Sequence, residues 1–192
     1  TYQLNVENVN DAPAANAGAD IAVNESGTAV MDGSGTTDDD LLNPSGEVLT
    51  FEWDFDQDGK VDATTQAASF SFNDDRVFDA KLNVTDKAGV SSIDHVIVEF
   101  VNVPPTPEIV SILPVFGKIK LFTGIDIRFI GNATDPGNDT FNYGWSFGDG
   151  NIKAGQNVTH VYYSFGTFTV GLNVTDDDGG SNSISKEIEV GG

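Results

Sequence analysis

The chain has 192 residues, enough for one large or two small domains, and 39% of them are hydrophobic, so a real core can be buried. Thirty acidic residues against nine basic ones give a formal charge of −21, which leaves no basic patch to displace counterions and excludes nucleic acid and anionic membranes as partners. There is no cysteine, so packing or bound cations must take the place of disulfides, and no apolar run approaches the roughly 18 residues of a membrane span.

The first element is a strand over residues 1–9, in which Tyr2, Leu4 and Val6 share one face. It runs into a linker to residue 11, and "VENVNDAP" (6–13) parallels "VEFVNVPP" (98–105), the end of the next unit. Residues 1–9 thus resemble a terminal strand with no domain before them. Two origins stay open: a strand severed from a longer tandem array, or a donor strand that pairs with another subunit by strand addition. The second would expose an unpaired edge until docked, and would join subunits head to tail through different surfaces into an open filament.

Residues 12–103 then alternate apolar and polar positions in short runs punctuated by Gly, Pro, Asn and Thr: "FEWDFD", "KLNVTD", "HVIVEF". On the first of these, Phe51, Trp53 and Phe55 face a core. Glu52, Asp54 and Asp56 fall on the opposite, exposed face, and Asp58-Gly59 turns the chain. "VNVPPTP" (101–107) is a short, semi-rigid connector, because consecutive prolines remove backbone donors and favour extended chain. Residues 104–192 repeat the pattern. "YGWSFGDGNI" (143–152) answers to "FEWDFDQDGK" (51–60), and Leu-Asn-Val-Thr-Asp recurs at 82–86 and 172–176. Two tandem antiparallel β-sandwiches follow, over 12–103 and 104–192.

These residues carry a family resemblance. "WSFGDG" (145–150) with "HVYYSFGTFTVGLNVTDDDGG" (160–180) resembles the PKD domain, an Ig-like module, and "WDFDQDGK" (53–60) is a looser first copy. The first copy departs from the second in lacking both the tight Gly-Asp-Gly and the His-x-Tyr. The resemblance implies an all-β fold of two Ig-like, PKD-type sandwiches with an extra N-terminal strand, used outside the cell as spacers or adhesion modules rather than as an enzyme.

The loop at 54–62 is the leading candidate site. Its D-x-D-x-D-G spacing matches an EF-hand, but Thr65 stands where the bidentate glutamate belongs and no helix flanks it, so an EF-hand is rejected. A calcium site on a hairpin remains, with Asp54, Asp56, Asp58, Asp62 and the Lys60 carbonyl as ligands. The competing reading is an Asp-rich turn whose carboxylates cap their own backbone. Asp38, Asp39 and Asp40, and Asp176, Asp177 and Asp178, are weaker cation candidates. A glycosidase carboxylate pair finds no support, and His95 and His160 lack a metal or nucleophile partner. Tyr162, Tyr163 and Phe116 are candidate surface aromatics.

Asn-x-Ser/Thr occurs at Asn24, Asn83, Asn132, Asn138, Asn157 and Asn173, while Pro44 excludes Asn43. Alternation turns Leu82 and Val84 inward and Asn83 outward, and Leu172, Val174 and Asn173 repeat this, so both copies would present a covalent N-glycan at one place. The expected function is therefore non-catalytic and extracellular or cell-surface: a subunit or segment of a glycosylated filament or surface array, rigidified by calcium and associating with itself or with sister domains. The alternative is a carbohydrate- or protein-binding accessory or adhesion module of a larger secreted enzyme or surface-layer protein.

Overall fold

The computed structural model describes residues 10–39, 48–114 and 120–192. Tyr2, Leu4 and Val6 of the expected N-terminal strand, together with Asp40 and Phe116, lie outside those residues. The chain divides into two compact units, Thr1–Val101 and Asn102–Gly192, and each is a β-sandwich. Asp32 caps a single 3-10 turn, Gly33–Gly35, its carboxylate accepting from Ser34 N–H.

The first unit holds β1 (Ile21–Asn24), β2 (Thr28–Asp32), β3 (Thr50–Asp54), β4 (Ala67–Ser71), β5 (Arg76–Thr85) and β6 (Ser91–Val101). One sheet runs β1-β6-β5-β3 and the other pairs β2 with β4. Alternation along β5 and β6 buries Ala80, Leu82 and Val84 against Val96, Val98 and Phe100, with Trp53, Met31 and Ala29 closing the layer. Each buried Leu, Val, Met or Phe among them contributes about 1.5–3 kcal/mol. Phe70 stacks on Phe55 at 4.7 Å and meets Phe78 and Phe100 edge-on.

The antiparallel expectation needs one correction here. β1 pairs with β6 in parallel, Ile21 opposite Val98. After Ala14 bridges Thr37, the chain crosses to the free edge of β6, where side chains substitute for ladder bonds. Ala15 N–H donates to Ser92 Oγ, Ala17 N–H to Asp94, and Ile97 N–H to Asp20. This leading segment covers a strand edge that would otherwise stand open.

The second unit holds β7 (Thr106–Pro114), β8 (Ile127–Thr134), β9 (Asn142–Ser146), β10 (Ile152–Ala154), β11 (Asn157–His160), β12 (Gly166–Thr175) and β13 (Ser181–Val190), in sheets β10-β9-β12-β13 and β11-β8-β7. Its core is Ile127, Phe129, Trp145, Phe147, Tyr162, Val170, Leu172, Val174, Ile188 and Val190. Tyr162, expected at the surface, is fully buried. Its hydroxyl donates to the Phe147 carbonyl at 2.9 Å and its ring meets His160 edge-on, so the phenol has both its polar and its apolar needs met inside. The two tryptophans are anchored alike: Trp53 Nε1 donates to Thr65 O and Trp145 Nε1 to Gly155 O, each at 3.0 Å.

Candidate functional site

β3 ends at Asp54, and the following loop folds back along its own strand. Trp53 N–H donates to Ala63 O at 2.8 Å and Asp62 N–H to Trp53 O at 2.7 Å. Within the loop, carboxylates tie down successive amides: Asp56 Oδ1 accepts from Asp58 N, Asp58 Oδ1 from Lys60 N, and Asp62 Oδ2 from Phe55 N. Gln57 and Gly59 take positive φ, which lets the chain reverse within so few residues.

One sequence expectation fails here. Asp54, placed on an exposed face by alternation, is only 4% exposed. The loop closes over it: Gly59 N–H donates to its Oδ2 at 3.2 Å and Lys81 Nζ, opposite it on β5, donates at 3.0 Å. Its other oxygen, Oδ1, is buried without a hydrogen-bond partner.

One carboxylate oxygen each of Asp54, Asp56 and Asp58 lies within 4.8 Å of the other two. Lys60 pairs with Asp58 across the loop. That contact, reinforced by the Lys60 backbone N–H, holds the Asp58 carboxyl below its ordinary value, while Asp58 pushes the Lys60 ammonium above its own. Lys60 and Lys81 thus offset part of the charge that these carboxylates gather. Asp62 is not part of the gathered group; its carboxylate closes the loop through Phe55. Hard oxygen ligands at such spacing are the donor set that calcium takes, and a buried acceptor without a donor is the atom a cation would satisfy.

The second unit treats the same place differently. Phe147 N–H donates to Asn151 O across a short turn with Gly148 and Gly150 at positive φ, and a Cβ at Gly148 would lie 2.8 Å from Thr169 O. Asp149, the one carboxylate in this turn, meets His160 Nε2 at 2.7 Å, and the imidazole stacks on Phe147 at 4.1 Å. Burial pushes the Asp149 carboxyl upward, but the Asn151 backbone N–H and the His160 ring outweigh it and hold the group below its ordinary value. The exposed His95 also meets a carboxylate, Asp79, at 2.9 Å. Both histidines therefore have partners that the sequence did not reveal, and both partners are carboxylates.

A further pairing recurs at the start of each unit. Asn10 Nδ2 donates to Asp86 at 2.8 Å and Asn102 Nδ2 to Asp176 at 3.1 Å, so the leading segment is clamped to the Asp that closes each Leu-Asn-Val-Thr-Asp string. In the second unit Asn102 Oδ1, Asp135 Oδ2 and Asp176 Oδ1 are buried oxygens without a hydrogen-bond partner. Asp177 accepts from Thr140 N and Asp178 is exposed; Asp38 is buried and Asp39 exposed. Sequence reasoning missed Asn102 and Asp135; the repeated Asn-Asp pairing was visible only as the duplicated Val-Asn at 9–10 and 101–102.

The sequon asparagines spread over both units. Asn24, Asn138, Asn157 and Asn173 are exposed, and Asn83 and Asn132 are half-buried. Asn83 Nδ2 donates to Glu52 at 3.1 Å, whereas Asn173 Nδ2 reaches Thr175 Oγ1 at 3.3 Å. Asn173 also lines a shallow cavity of about 590 Å³ on the outer face of the β10-β9-β12-β13 sheet, floored by Gly144, Ser146, Gly171, Ser183 and Ser185. Elsewhere on this unit, Tyr163 (87% exposed) and Phe165 (76% exposed) project from one loop. Tyr163 borders a smaller cavity of about 250 Å³ with Asp149, Asn151 and Ser164.

Comparison with known proteins places this geometry. A sequence model described as "PKD domain" matches residues 10–99 and again 112–191. The chain is 39% identical over 66 residues to collagenase ColA of Clostridium perfringens, an alignment covering 34% of this chain and 6% of that protein. It is 26% identical over 165 residues to the pre-pro-metalloprotease PrtV of Vibrio cholerae, covering 85% of this chain and 16% of that protein. The crystal structure of the PKD1 domain of that metalloprotease aligns over 47% of this chain and all of its own, with 23% identity and a TM-score of 0.39. The chain spans a small fraction of the length of both curated relatives.

Proposed function

Because the chain belongs to the PKD domain family, with one copy of this non-catalytic Ig-like module in each unit, we propose that it serves as a pair of accessory modules of a larger exported protein, outside the cell. It is not an enzyme, and its work is to hold and to adhere. The relatives support the accessory reading over the filament or array expected from residues 1–9: both are named as proteases, and in each the matching segment is a minor part.

The observation that carries an adhesive role is the exposed pair Tyr163 and Phe165 on the loop between β11 and β12. Large exposed aromatics are what a binding surface presents, and the neighbouring Asp149, Asn151 and Ser164 supply polar groups to orient a ligand. The names of the collagenase relatives make a fibrous protein the first ligand class to try. Sedimentation with insoluble collagen fibres, with crystalline cellulose in parallel, tests this. The chain is expected to co-sediment with the protein fibres and Tyr163→Ala/Phe165→Ala to stay in the supernatant. Equal sedimentation of parent and variant, or none with either polymer, overturns the adhesive role.

Two further parts of the proposal concern the modules themselves. Asp54, Asp56 and Asp58 hold calcium, supported by their mutual spacing and by the unpartnered buried Oδ1 of Asp54; the exposed Lys60 ammonium leaves when the ion enters. The exposed sequons carry N-glycans, a reading that requires export.

A further inference from the structure

The two sandwiches carry the same sequon at the same place, Asn83 on β5 and Asn173 on β12, yet the surface around them differs at every neighbouring position. Beside Asn83 the outer face bears Glu52 and Ile93 directly across, with Asp54 and His95 flanking Lys81. Beside Asn173 the partners are Gly144 and Ser183, and one step along they are Ser146, Gly171 and Ser185. Large and charged side chains in the first unit stand where small, uncharged ones stand in the second.

The small residues are not there to satisfy the fold. Gly144 does not take positive φ, and a Cβ added to it would meet nothing nearer than Asn173 O at 3.9 Å. A Cβ at Gly171 would press only on the Ser146 hydroxyl, the movable end of a side chain. Glycine inside a strand weakens it and marks a place where something approaches the backbone closely. Both glycines lie beside Asn173, and β10 widens the sheet with exposed Ile152 and Ala154. The resulting trough, about 590 Å³, falls within the roughly 300–1,000 Å³ of sites that hold small ligands.

We propose that this trough is the seat of a covalent N-glycan on Asn173, its first sugar lying over Gly144 and Gly171 with an apolar edge against Ile152. The proposal rests on the glycoprotein reading above and adds to it which sequon is built to hold its sugar. Attachment occurs on the unfolded chain during export. Asn173 Nδ2 forms a bond to C1 of a lipid-phosphate-activated oligosaccharide, the C1–O bond breaks, the lipid phosphate leaves with that electron pair, and the amide proton passes to a base of the transferase. Folding then brings β9 and β13 to either side, and the sugar covers surface that the small residues leave bare.

The test uses the full chain secreted from a host that attaches N-glycans. Peptide mapping should show Asn173 modified. Peptide N-glycosidase should release that glycan at least tenfold more slowly from the folded than from the unfolded chain. The glycan on Asn138, exposed and outside the trough, supplies the unprotected rate. Gly144→Gln, which fills the floor from an outward position, should bring release at Asn173 up to the Asn138 rate without changing the far-UV spectrum. A modified Asn173 released from the folded chain as fast as Asn138 overturns the seat and leaves the glycoprotein reading standing. An unmodified Asn173 overturns that reading and the seat with it. Dimerisation that appears only after the sugar is removed, and that Gly144→Gln abolishes, assigns the trough to a second copy of the chain and likewise overturns it.

Discussion

The turn after Trp53 and the turn after Trp145 leave corresponding strands, β3 and β9, of the two sandwiches, yet they use their carboxylates in different ways. After Trp145 a short Gly-Asp-Gly turn carries one carboxylate, and His160 on β11 engages it within packing distance of Phe147. After Trp53 the turn is longer, β4 offers no such histidine, and three carboxylates gather with only lysine to oppose them. In the second unit one carboxylate is matched by one histidine; in the first, three carboxylates share two lysines, and the buried Oδ1 of Asp54 is left without a donor. The outer faces repeat the contrast, charged in the first unit and bare in the second.

The largest effect should be common to both units and so tests the part of the comparison that is shared. Trp53→Ala and Trp145→Ala each remove a fully buried indole and should cost about 3–5 kcal/mol in denaturant unfolding, each in its own transition. A loss confined to one of them would show that the two cores are not equivalent.

Calcium should then separate the units. At about a hundredfold excess over its Kd, the ion stabilises the first unit's transition by about 2.7 kcal/mol. Asp56→Ala or Asp58→Ala should remove most of that gain, and Lys60→Ala should tighten binding by withdrawing a competing ammonium. A titration that finds no uptake at millimolar calcium ends the proposal.

Acid should act through the turn of the second unit. The Asp149 carboxyl is depressed on folding, so its contribution is complete above the unfolded value of 3.8 and is lost as pH falls below that, through the folded value. Asp149→Asn should flatten the stability of the second unit across that window. Asp149→Ala, which leaves the buried His160 nitrogen without its acceptor, should cost about 1–3 kcal/mol at neutral pH. An unchanged acid profile in Asp149→Asn would remove this carboxylate from the account.

The smallest effect is at the first sequon. Asn83→Gln, in unglycosylated protein, should change stability by no more than about 0.5 kcal/mol, since only its contact with exposed Glu52 is disturbed. A larger loss would mean that the outer face of the first unit carries structural weight.

The repeat, the all-β class and the inward faces of the main strands were legible in the amino-acid order alone. Those are local properties: alternation at Leu82, Asn83 and Val84 and again at Leu172, Asn173 and Val174 needs no partner to be read. The choice of Asp54 as a candidate ligand was also legible, from spacing, but its burial was not, because the loop that covers it returns from Ala63 and Lys81 arrives from β5. Tyr162 was misjudged for the same reason: its partner, the Phe147 carbonyl, is fifteen residues away. Tertiary packing alone sets β1 parallel to β6 and joins Gly144, Gly171, Ser183 and Ser185, drawn from three strands, into one floor beside Asn173. Periodicity fixes which way a side chain points; what it meets there depends on strands brought together from distant parts of the chain.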